Sequence, residues 1–157
     1  MTYSTTYSEV CIALVKSFEG CDLTGYPDVR GVPTIGYGHT GPSVKIGDVI
    51  TQEQADAYLA LDLDRAAHVI QLWTAIPLTQ NQFDALTDFQ YNTGGFQGST
   101  LHRLLNQGNI LGAADQFMVW DKAEINGQLV ALPGLTLRRA AERALFLGIA
   151  QPAEKNA

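Results

Sequence analysis

Apolar positions first recur at helical spacing near the start of the chain. Val10, Leu14, Val15 and Phe18 fall on one face of a helix that Ser8 caps, and the pattern stops at Glu19-Gly20. From Leu23 to about Ile50 the pattern changes. Glycines stand at 25, 31, 36, 38, 41 and 47 and prolines at 27, 33 and 42, with short β-prone pieces between them (Val32, Thr34-Ile35, Tyr37). This predicts a small β-hairpin or meander with tight turns and excludes a long helix. Helical periodicity then returns. Thr51 and Gln54 form a capping box for a long helix to about Leu72. Thr79 opens another through about Tyr91, closed by Gly94-Gly95, with Phe83, Leu86, Phe89 and Tyr91 as its apolar stripe. Ser99 caps a shorter helix ending at Gly108, and Asn109 one through about Trp120. Asn126-Gly127 between Ile125 and Leu129-Val130 is a hairpin signal. A last helix is expected over about Thr136 to Ile149, with a frayed tail after Pro152.

The pattern is α+β and mainly helical. A small β lobe (about 22–50) and a helical lobe (about 73–150 plus the first helix) would form one domain over 1–150, with a cleft between the lobes and a flexible tail over 151–157. The length of 157 residues suits a single core. Apolar residues make up 46% and charged residues 17%, which is a folded-domain profile. No apolar run reaches membrane-spanning length, and the first eight residues lack the basic and apolar regions of a secretory signal.

The formal net charge of −6 argues against a nucleic-acid binder. It also gives no long-range attraction to an anionic target, so any attraction must be local. The one local concentration of positive charge is Arg138, Arg139 and Arg143. Cys11 and Cys21 would lie about 15 Å apart along a continuous helix, too far for a bridge. Both are expected as reduced, buried thiols. No metal-ligand spacing or phosphate-binding loop is present, so no metal and no cofactor is expected.

Candidate chemistry rests on two carboxylates. Glu19 ends an apolar helix beside Phe18, a setting that favours a protonated acid. Asp28 sits in a Gly/Pro turn, a wetter setting that favours an ionised one. Thr34, on the returning strand, could hold a water between its hydroxyl and Asp28. Such a contrast is what glycoside hydrolysis requires. Each residue also has a plainer reading, as a solvated helix end, a turn former and a β-prone strand residue.

Glu19-Gly20, Tyr26, Asp28 and then Pro33-Thr34-Ile35-Gly36-Tyr37-Gly38-His39 closely resemble the phage T4-type lysozyme family, glycoside hydrolase family 24. The family pattern is Glu, eight residues, Asp or Cys, five residues, Thr, then an Ile-Gly-x-Gly-His run, and the fit has no gap. Asn92-Thr93-Gly94, Ser99-Thr100-Leu101, Leu104-Leu105-Asn106, Trp120, Gly134-Leu135, Arg138-Arg139 and Glu142-Arg143 extend the similarity, toward a lambdoid-like branch, over roughly residues 10–149.

The resemblance implies a lysozyme-like fold and a muramidase acting on the β-1,4 bonds between N-acetylmuramic acid and N-acetylglucosamine of peptidoglycan. Glu19 would be the general acid. Asp28 and Thr34 would position water in an inverting hydrolase; relatives with Cys at the Asp28 position leave open whether Asp28 acts on water or as a nucleophile. Arg139 would approach the acid and orient it, whereas Arg138 and Arg143 read as exposed helix charges. His39 and Asp62 would be a structural pair. Tyr91, Asn92, Thr100 and Thr40 are candidate sugar contacts or supporting residues, and Tyr91 reads equally as core. Trp73 and Trp120 read as core, His68 and His102 as surface or half-buried. The expected partner is the glycan strand, with no nucleic acid, no membrane insertion and no separate wall-binding module. The resemblance also implies a monomer held in the host cytoplasm until a holin opens the membrane, which then acts in the periplasm. The competing readings are a lytic transglycosylase, which makes an anhydro-sugar and needs no Asp/Thr pair, and a non-catalytic wall-binding domain.

Overall fold

The structure, a computed structural model, describes residues 3–149. In chain order the elements are α1 (Glu9–Phe18), β1 (Asp22–Pro27), β2 (Pro33–Gly36), β3 (His39–Thr40), α2 (Gln52–Trp73), α3 (Gln80–Thr93), α4 (Thr100–Asn106), α5 (Ile110–Gln116), β4 (Lys122–Ile125), β5 (Gln128–Ala131) and α6 (Pro133–Leu147). The proposed tail from Pro152 lies outside the described residues. The chain divides into two units, residues 12–65 and the remainder.

In the unit of residues 12–65, β1, β2 and β3 form an antiparallel sheet in that order. Tyr26 stands opposite Thr34, and Ile35 opposite His39. Val15, Ile35, Tyr37, Val44, Ala55, Leu59 and Leu63 are buried. The Thr51/Gln54 capping box starts α2 as its sequence predicts, with reciprocal bonds of 2.9 and 3.1 Å. The 45–48 loop is tied to β1 by backbone bonds Gly25 N–H to Asp48 O (2.7 Å) and Gly47 N–H to Gly25 O (2.9 Å). That approach requires glycine at 25, because a Cβ there would stand 2.2 Å from the Lys45 carbonyl oxygen. The nearest atoms, from Lys45 and Asp48, are all backbone and cannot yield cheaply. Gly25→Ala is expected to cost about 1–3 kcal/mol in urea unfolding, while alanine at exposed Gly20, where a Cβ meets nothing, costs little.

In the other unit, α3 is the central element and packs on α6. Thr79 and Gln82 make its capping box, and Gly94 ends it in the left-handed conformation (φ 63°). Phe83, Leu86, Phe89, Phe96, Leu101, Leu105, Phe117 and Phe146 make the core. The Asn126-Gly127 hairpin forms, with both residues at positive φ (51° and 79°), joining β4 to β5.

Several expectations shift. In α1 the period holds but its phase is one residue on: Cys11 and Val15 are buried, whereas Val10 is 52% exposed. Ser8 fixes that phase, since its backbone N–H and hydroxyl both bond to the buried Asp84 carboxylate at 2.8 and 2.5 Å. Cys21, past the end of the helix, is exposed rather than buried. The Asn109-capped helix stops at Gln116, and Phe117–Trp120 is a 3-10 turn. Its three-residue repeat sets Phe117 and Trp120 on one side, and both meet Phe89 edge-on at 5.4 and 5.3 Å. Trp73, the last residue of α2, is 40% exposed and does not belong to the core. The final helix begins three residues early, because Pro133 occupies its first turn, where a missing N–H costs nothing.

Candidate active site

Glu19 follows the last turn of α1, and its backbone N–H bonds to the Val15 carbonyl at 2.9 Å. Its side chain is half-buried. It lines a depression of about 270 Å³ together with Gly20, Cys21, Asp22, Tyr26 and Gly38. Asp28 and Thr34 are not part of that lining. They meet instead through Val32. The Asp28 carboxylate oxygen Oδ1 accepts the backbone N–H groups of Arg30 and Val32 at 2.8 and 2.9 Å. The Val32 carbonyl in turn accepts the Asp28 N–H and the Thr34 hydroxyl, each at 2.9 Å. A single backbone residue therefore pins both side chains.

Two consequences follow. The backbone N–H of Val32, then that of Arg30, holds the Asp28 carboxyl below the usual carboxylate range, so it is ionised. The Thr34 hydroxyl gives its proton to the Val32 carbonyl and keeps its lone pairs for accepting. A water between Thr34 and Asp28 would therefore meet two acceptors, which takes both its protons and leaves an oxygen lone pair free to attack. Because its folded-state value is depressed, Asp28 adds stability above the ordinary carboxylate range and loses it as pH falls through that depressed value. If Asp28 is the base, the acid limb of kcat/KM should fall below about pH 4. An acid limb at or above pH 5 would remove it from that role.

The β3 residue His39 is buried, as expected of a structural residue. Its Nδ1 lies 2.7 Å from Asp62 Oδ2, and its ring stacks on Tyr58 at 4.1 Å. Thr40 is exposed on β3. Tyr91 and Asn92 lie half-buried in the last turn of α3, and Thr100 is exposed at the start of α4.

Arg139 is wholly buried in α6. Its Nη2 donates to Asn92 Oδ1 (2.7 Å) and Glu142 Oε1 (2.8 Å), and its guanidinium lies over the Phe89 ring at 5.3 Å. Arg138, expected as an exposed charge, is instead 3% exposed and makes a two-pronged bond to Asp88 at 2.7 and 3.1 Å. Asp88 and Glu142 are both fully buried. Burial, then the neighbouring Asp88 carboxylate, pushes Glu142 well above the usual range. Burial there favours its neutral form, and its second carboxyl oxygen, Oε2, is buried with no hydrogen-bond partner. Of the positive cluster read from the sequence, Arg138 and Arg139 are thus internal, facing Asp88 and Glu142, whereas Arg143 pairs with Asp115 at 2.9 Å. The signal for this network was the pair of acids, Asp84 and Asp88, standing among the apolar positions of α3. Val32 carries no such signal, because its part is played by its backbone N–H and carbonyl.

The phage lysozyme family model matches residues 16–142. The endolysin of Acyrthosiphon pisum secondary endosymbiont phage 1 is 46% identical over 141 residues, covering 88% of this chain and 96% of that protein. Among solved structures, an endolysin from Escherichia coli O157:H7 phage FAHEc1 superposes with a TM-score of 0.85 at 36% identity, covering 94% and 96% of the two chains. The muramidase domain of SpmX from Asticaccaulis excentricus also gives 0.85, at 40% identity and 94% and 99% coverage. The α+β, mainly helical fold read from the sequence is the fold of these proteins.

Proposed function

The chain belongs to the phage lysozyme family, and from that premise we propose that it is a muramidase that cleaves the β-1,4 bond between N-acetylmuramic acid and N-acetylglucosamine with inversion, to lyse a bacterial host. The coarser statement, a peptidoglycan hydrolase of the endolysin kind, follows from the family itself. The single observation that carries the finer reading is the arrangement around Val32: an ionised Asp28 and a Thr34 hydroxyl oriented to accept.

In the proposed reaction Glu19 gives its proton to the glycosidic oxygen as the bond to the anomeric carbon breaks. Water held between Asp28 and Thr34 attacks the opposite face of that carbon, and Asp28 takes the water's proton. An inverting pair needs carboxyls roughly 6.5–9.5 Å apart to admit the water. Arg139 holds Asn92 in place at the end of α3, and the His39–Asp62 pair ties β3 to α2. Tyr91, Asn92, Thr100 and Thr40 are proposed sugar contacts or supporting residues. A lytic transglycosylase needs no water-holding pair, and the Asp28–Val32–Thr34 arrangement favours hydrolysis over it.

No helix among the described residues is long and apolar enough to cross a membrane. The proposed route is release as a monomer through a membrane opened by another protein, followed by action in the periplasm. The test is a digest of purified peptidoglycan with end-group analysis. New reducing N-acetylmuramic acid ends are expected. Reducing N-acetylglucosamine ends or 1,6-anhydro ends would overturn the reading.

A further inference from the structure

We infer that Tyr26 is a glycan-binding residue, its phenol hydroxyl donating a hydrogen bond to the sugar seated against Glu19; this rests on the hydrolase reading above. Three observations place it there. Tyr26 lines the same depression as Glu19. It stands directly opposite Thr34 across the β1–β2 pair, so the two side chains share one face of the sheet, with Cβ atoms about 5 Å apart as such pairs have. It lies two residues before Asp28, close enough for the Asp28 charge to act on its phenol. Tyr26 is thus the residue that touches the settings of all three members of the proposed trio.

Its hydroxyl makes no hydrogen bond to any described residue, and the side chain is 36% exposed, enough to meet a ligand. The charged side chains that act on it, Asp22, Glu19 and Asp28, are all carboxylates. Burial, then Asp22, Glu19 and Asp28 acting as nearby negative charges, raises its pKa above the ordinary phenol value. The hydroxyl therefore keeps its proton wherever the enzyme would work. A lasting donor in a depression otherwise rich in carboxylates suits a sugar oxygen, either ring, hydroxyl or acetamido carbonyl. It does not suit an anion, which Asp22 and Asp28 would repel.

The test removes only that oxygen. Binding of a soluble, uncrosslinked glycan-strand fragment is measured by calorimetry for Glu19→Gln and for Glu19→Gln with Tyr26→Phe, and steady-state kinetics are measured for Tyr26→Phe alone. A loss of about tenfold in affinity is expected, about 1.4 kcal/mol. The same factor should appear in kcat/KM and be carried by KM, because the bond exists before and during the reaction. Thermal midpoints should stay within about a degree. Affinity unchanged within twofold overturns the inference, and so does a loss that comes with a fall of several degrees in midpoint. If the parent protein leaves glycan uncleaved, the hydrolase reading fails while the calorimetric pair still decides Tyr26. If Glu19→Gln binds no glycan, the inference fails as well.

Discussion

Replacing Glu19 by Gln is expected to lower kcat on peptidoglycan by about 10²–10⁴, the range that a positioned general acid contributes. The amide keeps the shape and cannot donate a proton to a leaving oxygen. Glu19 is half-buried at a helix end, so the folded state should survive, and the unfolding midpoint should move by no more than about 2 °C. KM should stay nearly constant, because the lost interaction forms only in the transition state. The checks are turbidity loss of permeabilised Gram-negative cells and release of reducing ends. Clearance at the parent rate would end the catalytic assignment.

The largest expected stability effect lies in the other unit. Asp88→Ala takes from the Arg138 guanidinium, 3% exposed, its two-pronged carboxylate bond and leaves Glu142 Oε1 at 3.9 Å as the nearby carboxylate. Removing one partner of a buried pair costs about 3–5 kcal/mol, because the remaining charge stays out of water. At this chain length that is about 10 °C in thermal midpoint. Glu142→Gln should behave differently, because burial already favours the neutral form of Glu142. Its folded-state value is raised, so its contribution is fully present below the ordinary glutamate range and is lost as pH rises toward the folded-state value. The Gln variant should therefore flatten that decline and cost little near neutrality. Calorimetric scans of the parent and both variants across pH separate these outcomes. A midpoint for Asp88→Ala within 2 °C of the parent would contradict the account of the buried network.

These contrasts mark where sequence reasoning reaches. Elements set by nearby residues were legible: the capping boxes at Thr51/Gln54 and Thr79/Gln82, the left-handed Gly94, and the Asn126-Gly127 turn. Each is a bond or dihedral within a few residues, so a string of letters contains it. The phase of α1 was not legible. It is set by Asp84, which holds Ser8 from 76 positions away. Arg138 was misread for the same reason, since its partner Asp88 is 50 positions distant and a helical arginine is ordinarily solvated. The 3-10 turn at Phe117–Trp120 reflects the place of Phe89 in the core rather than any local propensity. In the candidate site, the resemblance singled out Glu19, Asp28 and Thr34 as the residues to propose. It did not reveal Val32, whose side chain is unremarkable and whose backbone N–H and carbonyl set the charge of one partner and the hydroxyl direction of the other.

The central claim is that water held by Asp28 and Thr34 attacks opposite a leaving group protonated by Glu19. The anomeric form of the newly released N-acetylmuramic acid end, followed by NMR during the first minutes of cleavage before mutarotation, tests it most directly. The account predicts the α-anomer from the β-linked strand. A β-anomer would make Asp28 a nucleophile, and a 1,6-anhydro end would remove water from the reaction; either result contradicts the account.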